Sequence, residues 1–310
     1  LNKKTILVIL SQMKPGFVRS INFPKNRLFY QVETLVFGNA VNRALKPERI
    51  IVGTENKSTK IKSIYLNYLK SFACPILKMN YESAEITKIA INLLLASSVT
   101  TTNALSELCE KNSADWQDIM PALKLDKRIG KFSYIKPGLG ISGGNIERDI
   151  VAAKSLLEKN QPLYLFLNNF LKSSDYMKDW VKRILVKRKF LNKKKMNIGV
   201  VGLTYKENTN SIKNSPGIKL VQYLKNKSFV DIYEPMLNSE IKGKNIRQID
   251  KLSKLIKNNK IIIFMRPLIN IKKEGLKGAI FKNKIIIDPY RNIKNGKMFK
   301  SNYFSIGLGN

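Results

Sequence analysis

Short, unbroken apolar runs constrain the fold of this chain more than any other feature. In the last third, "MNIGVVGL" (196–203), "FVDIYEP" (229–235), "KIIIFMRP" (260–267), "KIIIDPYR" (284–291) and "YFSIGLG" (303–309) recur with helical stretches between them. One of those stretches, "SPGIKLVQYLKNK" (215–227), carries proline in its first turn, where the missing N–H costs nothing. Runs without polar alternation suit strands covered on both faces. Alternating with helices, they predict a doubly wound parallel sheet of Rossmann-like type, complete within residues 193–310. The same signature opens the chain at "TILVIL" (5–10) and "ERIIVG" (48–53), with mixed helical spacing in "VETLVFGNAVNRAL" between them. The amphipathic "KIKSIYLNYLKSF" and the short "CPILKM" follow. Residues 1–79 therefore read as the remnant of an α/β domain, with too few strands to stand alone.

The middle third changes period. "ESAEITKIAINLLLASSVTTTNALSELCEKN" (82–112) predicts a helix of about eight turns, apolar on most sides and so packed against something large, a partner subunit among the candidates. "DWQDIMPAL", "NIERDIVAAKSLLEKN" and "QPLYLFLNNFLKSSDYMKDWVKRILVKRK" continue as helices. Residues 80–192 thus form a central helical domain.

The formal charge of +34 would suggest nucleic acid if the cations were clustered, but they are mostly scattered and Lys, Asn and Ile are abundant throughout. No stripe of aromatic and basic residues marks a nucleic-acid partner. A positive field favours a substrate carrying a pyrophosphate. The densest runs, 180–195 and "IRQIDKLSKLIKNNK" (246–260), read as a solvated helix face with a linker and as a second surface helix. Two cysteines, Cys74 and Cys109, make no disulfide framework and suggest a reducing cytoplasm. With no histidine at all, histidine triads and most zinc sites are excluded, and no metal site is expected. No uninterrupted apolar segment reaches the length of a membrane span. The chain opens on Leu rather than Met, and its start is expected to be missing.

Three stretches hold residues that carry chemistry. Glu85, Lys88 and Asn92 share one helix face at i, i+3 and i+7, out of place in an apolar stretch. They are either an intrahelical Glu85–Lys88 pair or a lysine tuned to act on a substrate hydroxyl, with Asn92 placing an oxyanion or a water. "YIKPGLGISGGNIERDI" (134–150) holds Gly138, Gly140, Gly143 and Gly144 in seven residues and delivers Asn145, Arg148 and Asp149 to a helix start. It does not follow a strand, so it is not a dinucleotide fingerprint. Asn145 is a plausible N-cap there, and Asp149 a first-turn carboxylate. A third stretch, "VVGLTYKENTNSIKNSP" (200–216), lies at the carboxyl edge of the second sheet, where Lys206 and Lys213 are placed to hold phosphates.

Taken together these stretches resemble the UDP-glucose/GDP-mannose dehydrogenase family, from "SQMKPG" at residue 11 to "IIDPYR" at 291. "NYESAEITKIAINLLLA" is similar to the family's Ala-Glu-Leu-x-Lys with Asn four residues later. "LCEKNSADWQDIMPALKLDKRIG" is similar to Cys-Glu-Lys-x-Gly-Ala-Asp followed by Asp-x-Arg-Ile-Gly. "VVGLTYKENTNSIKNSP" resembles Gly-Leu-x-Phe-Lys-x-x-Thr-x-Asp-x-Arg-x-Ser-Pro.

The resemblance implies two-step oxidation of a nucleotide-linked sugar alcohol with NAD as cofactor, in a homodimer. By position it implies that Lys88 and Asn92 assist alcohol oxidation, that Asp149 works with Lys88, and that Glu33 lies near the reacting carbon. It assigns substrate contacts to Arg128, reaching from a partner subunit, and to Lys136, Gly140, Lys206 and Arg291, and cofactor contacts to Gln12 and to Lys213, which replaces an arginine. Two departures stand out. The family loop reads Gly-Phe-Gly-Gly-Ser-Cys-Phe-x-Lys-Asp, and its nucleophilic cysteine falls on Asn145, an amide unable to form a thiohemiacetal. The family's glycine fingerprint and ribose-binding acid precede residue 1. An inactive nucleotide-sugar binder of the same fold is the alternative expectation.

Overall fold

The computed structural model describes residues 2–35, 39–142, 144–191, 196–237, 241, 243–268, 278–293 and 296–309. The chain divides into two compact units, Leu1–Leu94 with Val151–Leu156, and Leu95–Ile150 with Leu157–Asn310.

In the first unit the order is β1 (Leu7–Ile9), α1 (Phe17–Ser20), β2 (Leu28–Gln31), α2 (Ala40–Leu45), β3 (Ile50–Thr54), α3 (Ser63–Lys70) and β4 (Ile76–Asn80), which runs directly into α4 (Tyr81–Lys111). The sheet order is β1-β2-β3-β4. β1 with β2 and β3 with β4 are parallel, whereas β2 with β3 is antiparallel, Tyr30 facing Gly53. Strand β2 is not apparent in the sequence because "LFYQ" is too short to declare a period, and within the mixed helical spacing of 32–45 helix α2 spans Ala40–Leu45. Successive residues of β2 enter opposite layers. Leu28 and Tyr30 pack with Val18, Ile51 and Tyr81, while Phe29 packs with Val52, Tyr65 and Leu69.

The long helix keeps its expected length, 31 residues. By length and composition it is apolar enough to cross a membrane, although polar residues interrupt its apolar runs. Its buried Glu85, Asn92, Thr102, Asn103 and Ser106 are polar groups of a kind that protein interiors satisfy and lipid does not.

The second unit takes the end of α4 and continues with α5 (Trp116–Leu125), α6 (Asn145–Lys154, whose last four residues belong to the first unit), α7 (Pro162–Lys178) and α8 (Trp180–Lys187). The single helix expected from 161 to 189 is two, because the backbone leaves helical geometry at Asp179 (φ −88°, ψ 4°). Then come β5 (Ile198–Val201), α9 (Pro216–Leu224), β6 (Val230–Tyr233), β7 (Ile246–Gln248), α10 (Leu252–Asn258), β8 (Ile261–Phe264), β9 (Ile285–Ile287) and β10 (Tyr303–Phe304). All six strands are parallel in the order β10-β9-β8-β5-β6-β7. The surface helix expected over 246–260 is instead strand β7 followed by α10, which buries Leu252, Leu255 and Ile256 against the sheet. Numbered from β5, the strand order is 3-2-1-4-5-6, with its switch point between β5 and β8. Fully buried Ile198, Val200, Ile261 and Ile263 line one face, and Ile262, Phe264 and Ile286 the other.

Candidate active site

In the first unit, Glu85 does not pair with Lys88. Its carboxylate accepts the backbone N–H groups of Gly16 (2.6 Å) and Val18 (2.9 Å), the unpaired donors at the start of α1. Lys88, half-buried one turn on, places its Nζ 3.9 Å from an Oε2 of Glu33, and Glu33 also accepts the Leu35 N–H. Asn92, the next turn of the same face, is buried. The structure therefore brings Lys88 and Glu33 together as an ion pair. Gln12 is half-buried.

In the second unit, the glycine loop is held at three backbone points. Gly138 donates its N–H to Asn103 Oδ1 of α4 (2.9 Å), Leu139 to the Tyr290 hydroxyl (3.2 Å) and Ile141 to Ser174 Oγ of α7 (2.8 Å). Burial pushes the Tyr290 phenol up to about 12, which keeps it a neutral acceptor. Gly140 has φ 72°, and a Cβ there would strike the backbone carbonyl of Ser174. Gly143 lies outside the described residues. Gly144, whose carbonyl accepts the Arg148 N–H at 3.0 Å, is the residue that caps α6. Asn145 is thus not the N-cap but the first helical residue, and its side chain is exposed, as is that of Arg148. Asp149 is fully buried one turn later, not a solvated first-turn carboxylate.

The loop after β5 reaches this helix start. The aliphatic stem of Lys213 comes within 3.2 Å of the space a Gly144 side chain would occupy. Glu147, between Asn145 and Asp149, receives Lys178 Nζ at 2.7 Å and the amide of Asn214. Asn103, Ser174, Tyr290, Glu147 and Lys178 all escaped the sequence reading as contributors. Tyr290 and Glu147 stand in the stretches 284–291 and 134–150, whereas Asn103, Ser174 and Lys178 come from α4 and α7, elements distant from the loop in sequence. Lys206 is half-buried, and burial lowers its pKa from the ordinary lysine range, which eases transfer of a proton from it.

Other expected contacts are placed differently. Arg291, left-handed at φ 54°, grips Asp115 with two bonds (3.0 and 2.6 Å) and donates to Gly307 O at 3.2 Å. Asp115 also caps α5 by accepting the Gln117 N–H. Arg128 is exposed and turned onto its own Asp126 (2.6 Å), and Lys136 is exposed. Among the described residues no cluster of three metal-ligating side chains occurs.

Comparison with known proteins adds a second line. The chain is 28% identical to the UDP-glucose 6-dehydrogenase of Rickettsia felis, over 99% of this chain and 72% of that one. It is 24% identical to that of Bacillus subtilis, over 99% and 68%. A UDP-glucose dehydrogenase structure from Pyrobaculum islandicum superimposes with a TM-score of 0.82 at 22% identity, covering 98% of this chain and 71% of that one. A UDP-D-ManNAc dehydrogenase from Pyrococcus horikoshii gives 0.80 at 20% identity, covering 100% and 74%. Residues 82–173 match the family's central domain and 199–295 its UDP binding domain. The two matches take in the Lys88 helix, the glycine loop and the switch-point loop, and together they span more than half of the molecule: the chain belongs to the UDP-glucose/GDP-mannose dehydrogenase family.

Proposed function

We propose that the chain acts on a nucleotide-diphospho-sugar and oxidises its primary or secondary alcohol, in the cytoplasm, on the way to polysaccharide or nucleotide-sugar products. The Lys88–Glu33 pair, 3.9 Å apart with buried Asn92 on the same helix face, carries this reading. As the alcohol proton leaves, the Lys88 ammonium stabilises the developing oxyanion, Asn92 orients it, and Glu33 is the carboxylate within reach of the proton. Asp149 is assigned to work with Lys88. Lys206, Arg291, Lys136 and Gly140 are assigned to the substrate, with Arg128 reaching that of a second copy. Domains 1–79, 80–192 and 193–310 divide the labour into cofactor, reaction and nucleotide binding.

NAD is the hydride acceptor this family implies. Residues 1–94 contain three glycines, Gly16, Gly38 and Gly53, in no Gly-x-Gly-x-x-Gly arrangement, so these residues supply no glycine cradle for its pyrophosphate. Gln12 and Lys213 are the contributions assigned to it here. A nucleotide-sugar binder without turnover is the second reading, favoured by Asn145 in the nucleophile's place. The test is incubation with a panel of UDP and GDP sugars and NAD, following NADH absorbance and product mass. NADH formation with one sugar supports oxidation. Tight nucleotide-sugar binding without NADH, at millimolar NAD, rejects it for the second reading.

A further inference from the structure

The second sheet has the strand order of a dinucleotide-binding fold, yet each of the three features by which such a fold takes its ligand is already met by a side chain of the protein. The first is the glycine turn after strand one, where a missing side chain lets backbone approach a pyrophosphate. Gly202, directly after β5 at φ 88°, has that geometry, but the space beside it is filled by Arg266, whose Cγ lies 2.5 Å from where a Cβ would stand. The second is the helix N-terminus that follows, whose amides receive phosphate oxygens. At α9 those amides belong to Gly217 and Ile218, and the N-cap Ser215 Oγ accepts both (3.1 and 3.5 Å) while donating to Leu203 O (2.6 Å). The third is the acid at the end of strand two, which holds a ribose hydroxyl. Glu234, directly after β6, is buried to 2% exposure and accepts Leu203 N, Thr204 N and Thr204 Oγ1, while Arg266 Nη2 reaches its other oxygen at 3.1 Å.

We infer that the switch-point crevice of the second sheet is closed to dinucleotides by its own side chains, and that Arg266 is the residue that decides this. Arg266, at the end of β8, stands on the far side of the switch point from Glu234 and spans it. It also reaches Glu207 of the β5–α9 loop at 3.7 Å, so one guanidinium occupies the pyrophosphate approach and ties down the loop that follows. A mononucleotide diphosphate that meets the crevice from the Lys206 side does not need the Gly202 turn; the adenylyl half of a dinucleotide does. The consequence is specificity between two ligands that share a diphosphate. NAD is kept off the sheet that the nucleotide-sugar uses, although both present a diphosphate to a strongly basic protein. The inference rests on the reading of residues 193–310 as a nucleotide-binding domain.

Calorimetric titration of UDP, with and without ADP-ribose, tests it on the full chain and on Arg266→Ala. In the wild type, ADP-ribose leaves UDP affinity unchanged; in Arg266→Ala it competes and weakens apparent UDP affinity about tenfold. Removal of Arg266 alone leaves Glu234 as a buried uncompensated charge, so the neutral pair Glu234→Gln/Arg266→Ala is measured in parallel. Competition in the wild type, or its absence in variants that still bind UDP, overturns the inference. If UDP binds none of the three proteins, the functional reading of the domain fails separately. Arg266 is then judged by direct ADP-ribose titration, in which the variants must gain one site per chain over the wild type, and no gain overturns it.

Discussion

Asn145 is exposed at the first turn of α6, with Lys213 lying against the glycine before it and Glu147 tying the helix to α7. The first hydride transfer needs positioning and proton removal but no covalent bond, whereas passage from aldehyde to carboxylate in this family uses a thiohemiacetal. An amide offers no comparable nucleophile. Turnover is therefore expected to stop at the carbonyl level, with one NADH per sugar, and Asn145→Cys is expected to move the product towards carboxylate. Mass spectrometry of the product with NADH stoichiometry decides, and two NADH from the wild type would refute the assignment. Gly140 makes a prediction of stability rather than chemistry. At φ 72° against the Ser174 carbonyl, Gly140→Ala is expected to cost about 2 kcal/mol or more and to loosen the loop, read as a lowered denaturation midpoint. That a tight loop leads into a helix here was legible, because a glycine cluster before a helical pattern needs a reason. The partner of Glu85 was not: i, i+3 spacing proposes Lys88, and the backbone amides of Gly16 and Val18 come from a segment no local rule connects to it.

Elements with many turns or many apolar residues announced themselves. The eight turns of α4 accumulate enough period to be read within a residue, and the Ile-rich runs fix β5, β8 and β9. Short strands did not: β2 and β7 have four and three residues, and β7 exposes Arg247 and Gln248, so only pairing with β6 makes it a strand. One element junction has a pH signature. Glu110, in the last turn of α4, accepts Trp180 Nε1 of α8 (3.2 Å) and the N–H of Gly307 (3.0 Å), and burial raises its pKa above the usual carboxylate range despite those bonds. The folded state then binds this proton more tightly than the unfolded one. Its contribution is complete below the unfolded value and declines as pH rises through the raised folded value. Glu110→Gln keeps both acceptor contacts and does not titrate, so the stability of the wild type relative to this variant is expected to fall with rising pH across that window. Denaturant melts at a series of pH values measure it; a difference that is flat or rises with pH contradicts the account.

At the scale of the molecule, fold class was legible because α/β alternation is a property of the whole pattern and survives errors in single elements. The antiparallel pairing of β2 with β3 and the internal plugging of the second sheet were not, since both depend on which distant residues meet. Association belongs to this scale too, and α4 is where the sequence led it to be expected. The helix is not apolar all round: it buries Glu85, Asn92, Asn103 and Ser106, yet leaves Ile86, Leu94, Leu105 and Leu108 exposed, Leu94 at 70%. At 100° per residue those four fall within one narrow stripe, accompanied by exposed Ala90, Thr101 and Ala104, residues small enough to let a second backbone approach. No charged residue interrupts them. We propose that a second copy of the chain covers the stripe through a twofold contact, in which the same patch of both copies meets reciprocally. Sedimentation at micromolar concentration is expected to give a dimer, and Leu94→Glu, which sets two carboxylates facing across the axis, a monomer with unchanged helicity. A wild-type monomer would leave the stripe without this partner, and a Leu94→Glu dimer would place the interface elsewhere.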